Sequence, residues 1–180
     1  MDTILTARLL LRPITMEDAP AIFEGWAQDP MVTRYLTWDC HDTVDVTREV
    51  VAMWLQEYQS PPCYRYGITL GGKLIGMIDV VRFRDNVPEI GYVLSRPYWG
   101  QGLMTEACKA LMARLYEDGY DLIRIRACQA NQGSLNVIRK CHFTKIHDCT
   151  EPLSPQRPLP VPVSWFACTS GQFKDGEVLA

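Results

Sequence analysis

Residues 98–107 read Y-W-G-Q-G-L-M-T-E-A, with one glutamine bracketed by two glycines just where a helix must begin. Downstream, Leu103, Ala107, Leu111 and Leu115 recur beside Met104, Cys108 and Met112, an apolar stripe of helical period that Gly119 can end. Upstream, residues 89–94 (E-I-G-Y-V-L) are strand-like, and Gly91 inside them predicts a bulge or a close backbone approach. A strand, a glycine loop and a helix start outline an anion site. The first helical N–H groups lack internal partners, the helix dipole adds positive charge, and glycine lets backbone N–H groups approach phosphate oxygens. The same letters also suit a plain turn, and taken alone they favour the turn.

The flanking chain sets the context. Residues 4–12 read as a first strand closed by Pro13. Thr15 and Asp18 have capping-box spacing ahead of an apolar face of Ala19, Ile22, Phe23 and Trp26. Asp42 or Thr43 can cap a second helix to about Tyr58, with Val46, Val50, Met53, Trp54 and Tyr58 on its apolar side. Residues 63–70 and 73–81 predict strands joined by Gly71-Gly72, and a polar turn over 82–88 precedes the strand at 89–94. A further strand spans 122–128, a short helix 134–141 turns Val137, Ile138 and Cys141 inward, and residues 143–149 form another strand. Five prolines within 150–162 predict an extended loop, after which 163–169 resumes as a final strand. The order is β-α-α-β-β-β-α-β-α-β-β. It predicts one α+β domain over 1–180 with a mixed, mainly antiparallel sheet.

The 180 residues, 47% apolar and 22% charged, exclude a disordered chain, and no apolar run reaches the roughly 18 residues of a spanning helix. Asp2 and the arginines of the first dozen residues are unlike a signal peptide, so a soluble cytoplasmic protein is expected. A net charge of −3 with both signs interspersed gives no footprint for nucleic acid. The seven cysteines (40, 63, 108, 128, 141, 149, 168) include no C-x-x-C pair, and the histidines (41, 142, 147) no H-x-x-x-H pair. Core-filling thiols are expected, and neither a disulfide frame nor a metal site. Nothing in the sequence fixes an oligomeric state.

Of the known phosphate loops, a P-loop needs a lysine and a spacing that are absent here. A dinucleotide fingerprint needs a third glycine where Thr105 stands, and an acidic residue after the next strand, where Ala127-Cys128-Gln129 has none. Four other motifs stand in sequence: T-x-R-L-x-L-R-P at 6–13, E-I-G-Y at 89–92, W-G-Q-G-x-x-T-E-A at 99–107 and N-x-x-S-x-x-V-x-x-K at 131–140. In these, across about residues 4–149, the chain resembles the GNAT acetyltransferases. The branch it resembles is the Rim type, which acetylates N-termini of ribosomal proteins. It departs from the family at Met104, where alanine or glycine is usual, and at His142, where glycine often precedes the phenylalanine. Met104 falls on the apolar stripe and can turn into the core.

The resemblance implies a GNAT fold, a twisted sheet flanked by about four helices with splayed central strands. It implies acetyl-coenzyme A as co-substrate and no metal. Tyr92, Val93 and Leu94 would pair with the pantetheine, and the N–H groups of Trp99, Gly100, Gln101, Gly102, Leu103, Met104 and Thr105 would hold the pyrophosphate. Asn131 would bond the pantetheine arm, with Asn136 a second candidate. Glu89 is the candidate base, directly or through water, or else a solvated strand-end carboxylate. Ser134 is the candidate proton donor to the thiolate, or an N-cap, and Tyr92 is the alternative donor. Glu106 reads as structural. The acceptor pocket is expected between the helices of 15–58 and the sheet, near Trp26, Tyr35, Trp38 and Tyr64. The expected acceptor is a protein or peptide α-amine. The alternatives are a small amine (polyamine, amino acid or antibiotic) or a non-catalytic acyl-CoA-binding module.

Overall fold

In the computed structural model, which describes residues 2–178, the first strand predicted at 4–12 is two: β1 (Ile4–Leu5) and β2 (Leu9–Arg12). The chain reverses at 6–8, where the Thr6 N–H donates to the Leu9 carbonyl and the Leu9 N–H donates to the Thr6 hydroxyl. The first helical face is broken as well. A 3-10 turn (Met16–Asp18) leads into α1 (Ala19–Ile22), which passes into a π turn (Phe23–Ala27). The Thr15–Asp18 box forms as expected, with the Asp18 carboxylate accepting from the Thr15 N–H at 2.8 Å. A π turn leaves a carbonyl outside the regular ladder. The buried Ser95 hydroxyl, just past the central strand, donates to that of Gly25.

α2 (Pro30–Thr33) is a short addition capped by Asp29, and α3 (Val44–Glu57) is capped by Thr43 as predicted. The buried face of α3 is rotated from the expected stripe. Thr47 and Val51 point inward, while Val46 and Met53 are exposed. The signal failed at Thr47, a polar residue buried because its hydroxyl meets His41 Nδ1 at 2.8 Å.

β3 (Arg65–Leu70), β4 (Lys73–Arg84) and β5 (Val87–Leu94) form an antiparallel meander whose turns lie at Gly71-Gly72 and Asp85-Asn86. The polar stretch at 82–88 is therefore mostly strand. The bulge expected at Gly91 lies across from it in β4, where the register shifts between Val80 and Arg82. Gly91 instead gives the bulged Val81 room, since a Cβ there would come within 2.5 Å of its Cγ1.

α4 (Leu103–Glu117) turns Leu103, Met104, Ala107, Cys108, Leu111, Met112 and Leu115 into the core, each long apolar side chain contributing roughly 1.5–3 kcal/mol by burial. Met104 is thus a core residue, as its place on the stripe predicted. β6 (Leu122–Cys128) then runs parallel to β5, and α5 (Gln132–Lys140) follows. His142 takes a positive φ of 63°, the conformation a glycine there would favour.

β7 (Thr144–Ser154) and β8 (Arg157–Thr169) replace the predicted loop at 150–162 with a long two-stranded ribbon. The prolines are tolerated because β6 pairs with β8 only from Val163 onward. Pro158, Pro160 and Pro162 alternate along the ribbon's open side, where no ladder N–H is needed. α6 (Ser170–Val178) closes the described chain.

The eight strands make one sheet in the order β1-β2-β3-β4-β5-β6-β8-β7, with β5–β6 its parallel pair. Among the described residues six α-helices flank it, where about four were expected; the additions are α2 and α6. One face carries the core beneath α4 and α5. The other carries a second core, in which Ile22, Trp26 and Val51 meet Leu74, Met77 and Val93. No described helix is long and apolar enough to cross a membrane.

Candidate active site

β5 and β6 pair at Glu89↔Arg124 and Ile90↔Ile125; beyond those residues the two strands part. The bottom of the opening is Gly91 and Tyr92 on one side and Arg126 on the other. A cavity of about 590 Å³ lies along the freed end of β5 and reaches α4 and α5.

The glycine loop forms one end of it. Gly100 and Gly102 both have φ of 74°, the left-handed region, and Gly102 is the N-cap of α4. A Cβ on Gly100 would meet nothing within 4 Å, and one on Gly102 only Arg8 Nη2 at 3.7 Å. The glycines therefore serve backbone conformation and an open approach to the helix N–H groups, and they relieve no packing conflict. The loop is tied down on both sides. Trp99 Nε1 donates to the Leu94 carbonyl at 2.7 Å, and Arg8 Nη1 donates to the Gln101 carbonyl at 3.1 Å. Glu106 accepts from the Thr6 hydroxyl, the Arg8 N–H and Arg8 Nε at 2.6–2.8 Å, which fixes the β1–β2 turn to the first turn of α4. Partial burial opposes the Glu106 charge, but these donors outweigh it and hold the carboxyl below its ordinary range.

The other end is α5. Its N-cap is Asn131, whose Oδ1 accepts from the Ser134 N–H at 3.1 Å, so Ser134 is not the cap. That leaves the Ser134 hydroxyl available, and it lies 2.9 Å from the Tyr92 hydroxyl. Burial drives the Tyr92 phenol well above its ordinary pKa, so it stays protonated. Asn131 uses its carbonyl oxygen as the cap and has its NH2 group left for a ligand.

Of the residues singled out from the sequence, Tyr92, Val93, Leu94, Trp99, Gly100, Gly102, Leu103, Met104, Thr105, Asn131, Ser134 and Asn136 line this one cavity. Gln101 does not; its side-chain amide turns back to the Pro97 carbonyl. Glu89 does not line it either. It is buried, and its carboxylate meets Arg82 Nε at 2.6 Å and Nη2 at 3.1 Å, and Arg126 Nε at 3.4 Å. The reading of Glu89 as a solvated strand end is therefore wrong. Arg126 continues the network to Glu151 at 2.7 Å, and both arginines lie over the Trp165 ring.

Of the aromatics expected around the acceptor, Tyr35 alone lines the cavity. Trp26 is fully buried in the second core, Trp38 stands against His41, and the Tyr64 hydroxyl donates to Asp118. Sequence reasoning missed Met31, Val32, Arg34 and Leu36 from the α2 segment, which carries no motif. Lys140 also lines the cavity, and its signal was available as the last letter of the motif at 131–140.

A long ligand with an anionic head and an apolar arm fits this donor set. N–H groups at the start of α4 and the cation Lys140 suit phosphate, and Leu94, Leu103 and Val137 give an apolar wall.

Comparison with known proteins gives a consistent answer. The family described as acetyltransferase (GNAT) domain matches residues 8–144. An uncharacterized N-acetyltransferase, p20 of Bacillus licheniformis, is 28% identical over 154 residues, covering 81% of this chain and 84% of that one. Among solved structures, RimL, described as a ribosomal L7/L12 α-N-protein acetyltransferase in complex with coenzyme A, superposes with a TM-score of 0.82 at 22% identity. The match covers 93% of this chain and 98% of that one. The microcin C7 self-immunity acetyltransferase MccE, in complex with acetyl-CoA and AMP, gives 0.81 at 14% identity, covering 91% and 93%. At such identities the two structures speak for the fold alone.

Proposed function

The chain belongs to the GNAT acetyltransferase family, and on that premise we propose that it transfers the acetyl group of acetyl-coenzyme A to the N-terminal α-amine of a protein of the ribosomal kind. The observation that carries this reading is the parting of β5 from β6 beside a left-handed glycine loop and a Tyr92–Ser134 hydroxyl pair. The likeness to RimL supports the choice of acceptor.

Bound acetyl-coenzyme A supplies the thioester that the amine attacks and the thiolate that leaves. The chain's own residues do the rest. N–H groups over 102–105 hold the pyrophosphate, the backbone of Tyr92, Val93 and Leu94 pairs with the pantetheine on the side that faces away from β4, and the Asn131 NH2 group fixes that arm. Asn136 stands at the same wall. A β5 N–H freed by the splay donates to the developing oxyanion. The Ser134 hydroxyl gives its proton to the departing thiolate and regains one from solvent, while the Tyr92 phenol, which burial keeps protonated, stays hydrogen-bonded to it and holds it in place.

Glu89 is the terminal proton acceptor. Both its oxygens already accept from arginines, so the amine's proton reaches it through water. An α-amine with a pKa near 8 needs less of this help than a lysine near 10.4, which favours the α-amine. A second reading, a small-molecule amine, is favoured by the likeness to MccE.

Thiol release from acetyl-CoA over a panel of N-terminal peptides and small amines tests the proposal. Turnover of peptides alone is expected. Turnover of small amines alone selects the second reading, and calorimetry without acetyl-CoA binding refutes both.

A further inference from the structure

The proline-rich ribbon has no part in the chemistry above, yet its tip reaches across the molecule to the cavity wall. β7 and β8 turn at Pro155-Gln156, which brings Ser154 and Arg157 together as the last register pair. From there Arg157 grips the segment after α2. Its Nε pairs with Asp39 Oδ1 at 2.8 Å, and its Nη1 donates to the carbonyls of Thr33, Arg34 and Leu36 at 2.9–3.0 Å. Two hydrogens are thus shared among three carbonyls where α2 ends, of which that of Thr33 also accepts from the Leu36 N–H. The Ser154 hydroxyl adds a bond to the Thr37 carbonyl.

The gripped segment is the one that supplies Val32, Arg34, Tyr35 and Leu36 to the cavity. Its other end is fixed by Asp29, which caps α2 through the Met31 N–H and pairs with Arg96 Nε at 3.0 Å. Residues 29–39 are therefore a strap pinned at both ends, with the pin at 29 beside the glycine loop and the pin at 39 on the ribbon. Alternating prolines on the open side of β8 limit the backbone freedom of the arm that carries the second pin.

We propose that Arg157 is a positioning residue for the amine acceptor: it fixes the strap that walls the acceptor side of the cavity and so sets acceptor affinity. The proposal rests on the acetyl-transfer reading for its kinetic consequence, but not for its structural one. The coenzyme's own anchors on β5, α4 and α5 have no contact with Arg157, so they are spared.

The test compares wild type, Arg157→Ala, Arg157→Lys and Ser154→Ala by amide hydrogen exchange and by steady-state kinetics. In Arg157→Ala, exchange over residues 34–39 is expected to quicken by about tenfold or more while β3–β5 and α4 keep their protection. Acceptor KM is expected to rise about tenfold, with kcat and the acetyl-CoA Kd within about twofold. Arg157→Lys recovers part of both effects, because an ammonium replaces one contact and not the fork. Ser154→Ala gives a smaller change of the same kind and reports on the strap should Arg157→Ala fail to fold. Unchanged exchange over the strap overturns the proposal whether or not any acceptor is turned over. An equal loss of acetyl-CoA affinity overturns it too. Failure of the acetyl-transfer reading is separate: wild type itself would then release no thiol.

Discussion

Gly102→Ala separates the two things a glycine does in this loop. In the free protein a Cβ at 102 meets only Arg8 Nη2 at 3.7 Å, so packing does not resist it. The cost lies in the backbone. Holding alanine at φ of 74° costs roughly 1–2 kcal/mol relative to glycine, or a Tm lower by about 2–8 °C in a chain of this size. Binding carries a second cost, because the new methyl stands among the N–H groups that open α4. Losing one hydrogen bond to a charged phosphate is worth about 1.5–3 kcal/mol, which raises the acetyl-CoA Kd roughly 10–100-fold. Gly72→Ala is the matched control. Gly72 has φ of 81°, its Cβ would meet nothing within 4 Å, and it sits in the β3–β4 hairpin. Differential scanning calorimetry is expected to show similar losses of Tm for the two variants, and titration calorimetry a weakened acetyl-CoA only for Gly102→Ala. If Gly102→Ala loses Tm like the control while its Kd stays within about twofold of wild type, the pyrophosphate does not sit on this loop and the coenzyme reading fails.

Ser134→Ala and Tyr92→Phe are each expected to lower kcat by about 100-fold with acetyl-CoA Kd nearly unchanged, and the double variant to be no worse than either, since the hydroxyls act in series; additive losses in stopped-flow thiol release would show that they act independently. Burial pushes the Asp79 carboxyl from 3.8 up to about 6 in spite of Arg65. The folded chain then holds that proton more tightly than the unfolded one, so this group's contribution falls as pH rises from about 4 through 6, by on the order of 3 kcal/mol. Urea unfolding between pH 4 and 8 is expected to show that slope in wild type and not in Asp79→Asn, and parallel curves would refute it. Glu106→Ala strands the Thr6 hydroxyl and the Arg8 N–H, and is expected to cost roughly 1 kcal/mol in urea titrations, water screening the exposed Arg8 guanidinium.

The parts of the fold legible in the sequence were those decided by neighbours in the chain. Gly71-Gly72 announced the β3–β4 hairpin because positive φ at two consecutive residues leaves few other uses for the pair. The α4 stripe was read correctly because every buried position on it is apolar. α3 was read only in part, with Trp54 packed against the core but Val46 and Met53 exposed, because its fully buried Thr47 is made tolerable by His41, a partner that a hydrophobicity pattern does not register. The ribbon was read as an extended loop because five prolines exclude a helix, and proline also lacks the N–H that a strand ladder needs. The rule is sound, but it applies only where a second strand lies on that side, and β6 ends before the prolines begin.

The same division runs through the candidate site. The glycine loop, Tyr92, Asn131 and Ser134 were found because each stands in a local motif, and the fold gathers them into one cavity. What the letters could not show was how each side chain is committed. The Asn131 oxygen is spent on capping α5, and that releases the Ser134 hydroxyl toward Tyr92. Glu89 looked like an available carboxylate at a strand end, but Arg82 and Arg126, seven positions before it and thirty-seven after it, claim both its oxygens. The acceptor side is the extreme case. Its wall is the motif-free strap at 29–39, and its fastening is an arginine more than a hundred residues downstream. On the proposed function, acceptor specificity would rest on pairings across long sequence separations, whereas coenzyme binding would rest on backbone conformation that a few adjacent letters determine. That contrast explains why the letters point to a cradle for the acyl donor and leave the acceptor to experiment.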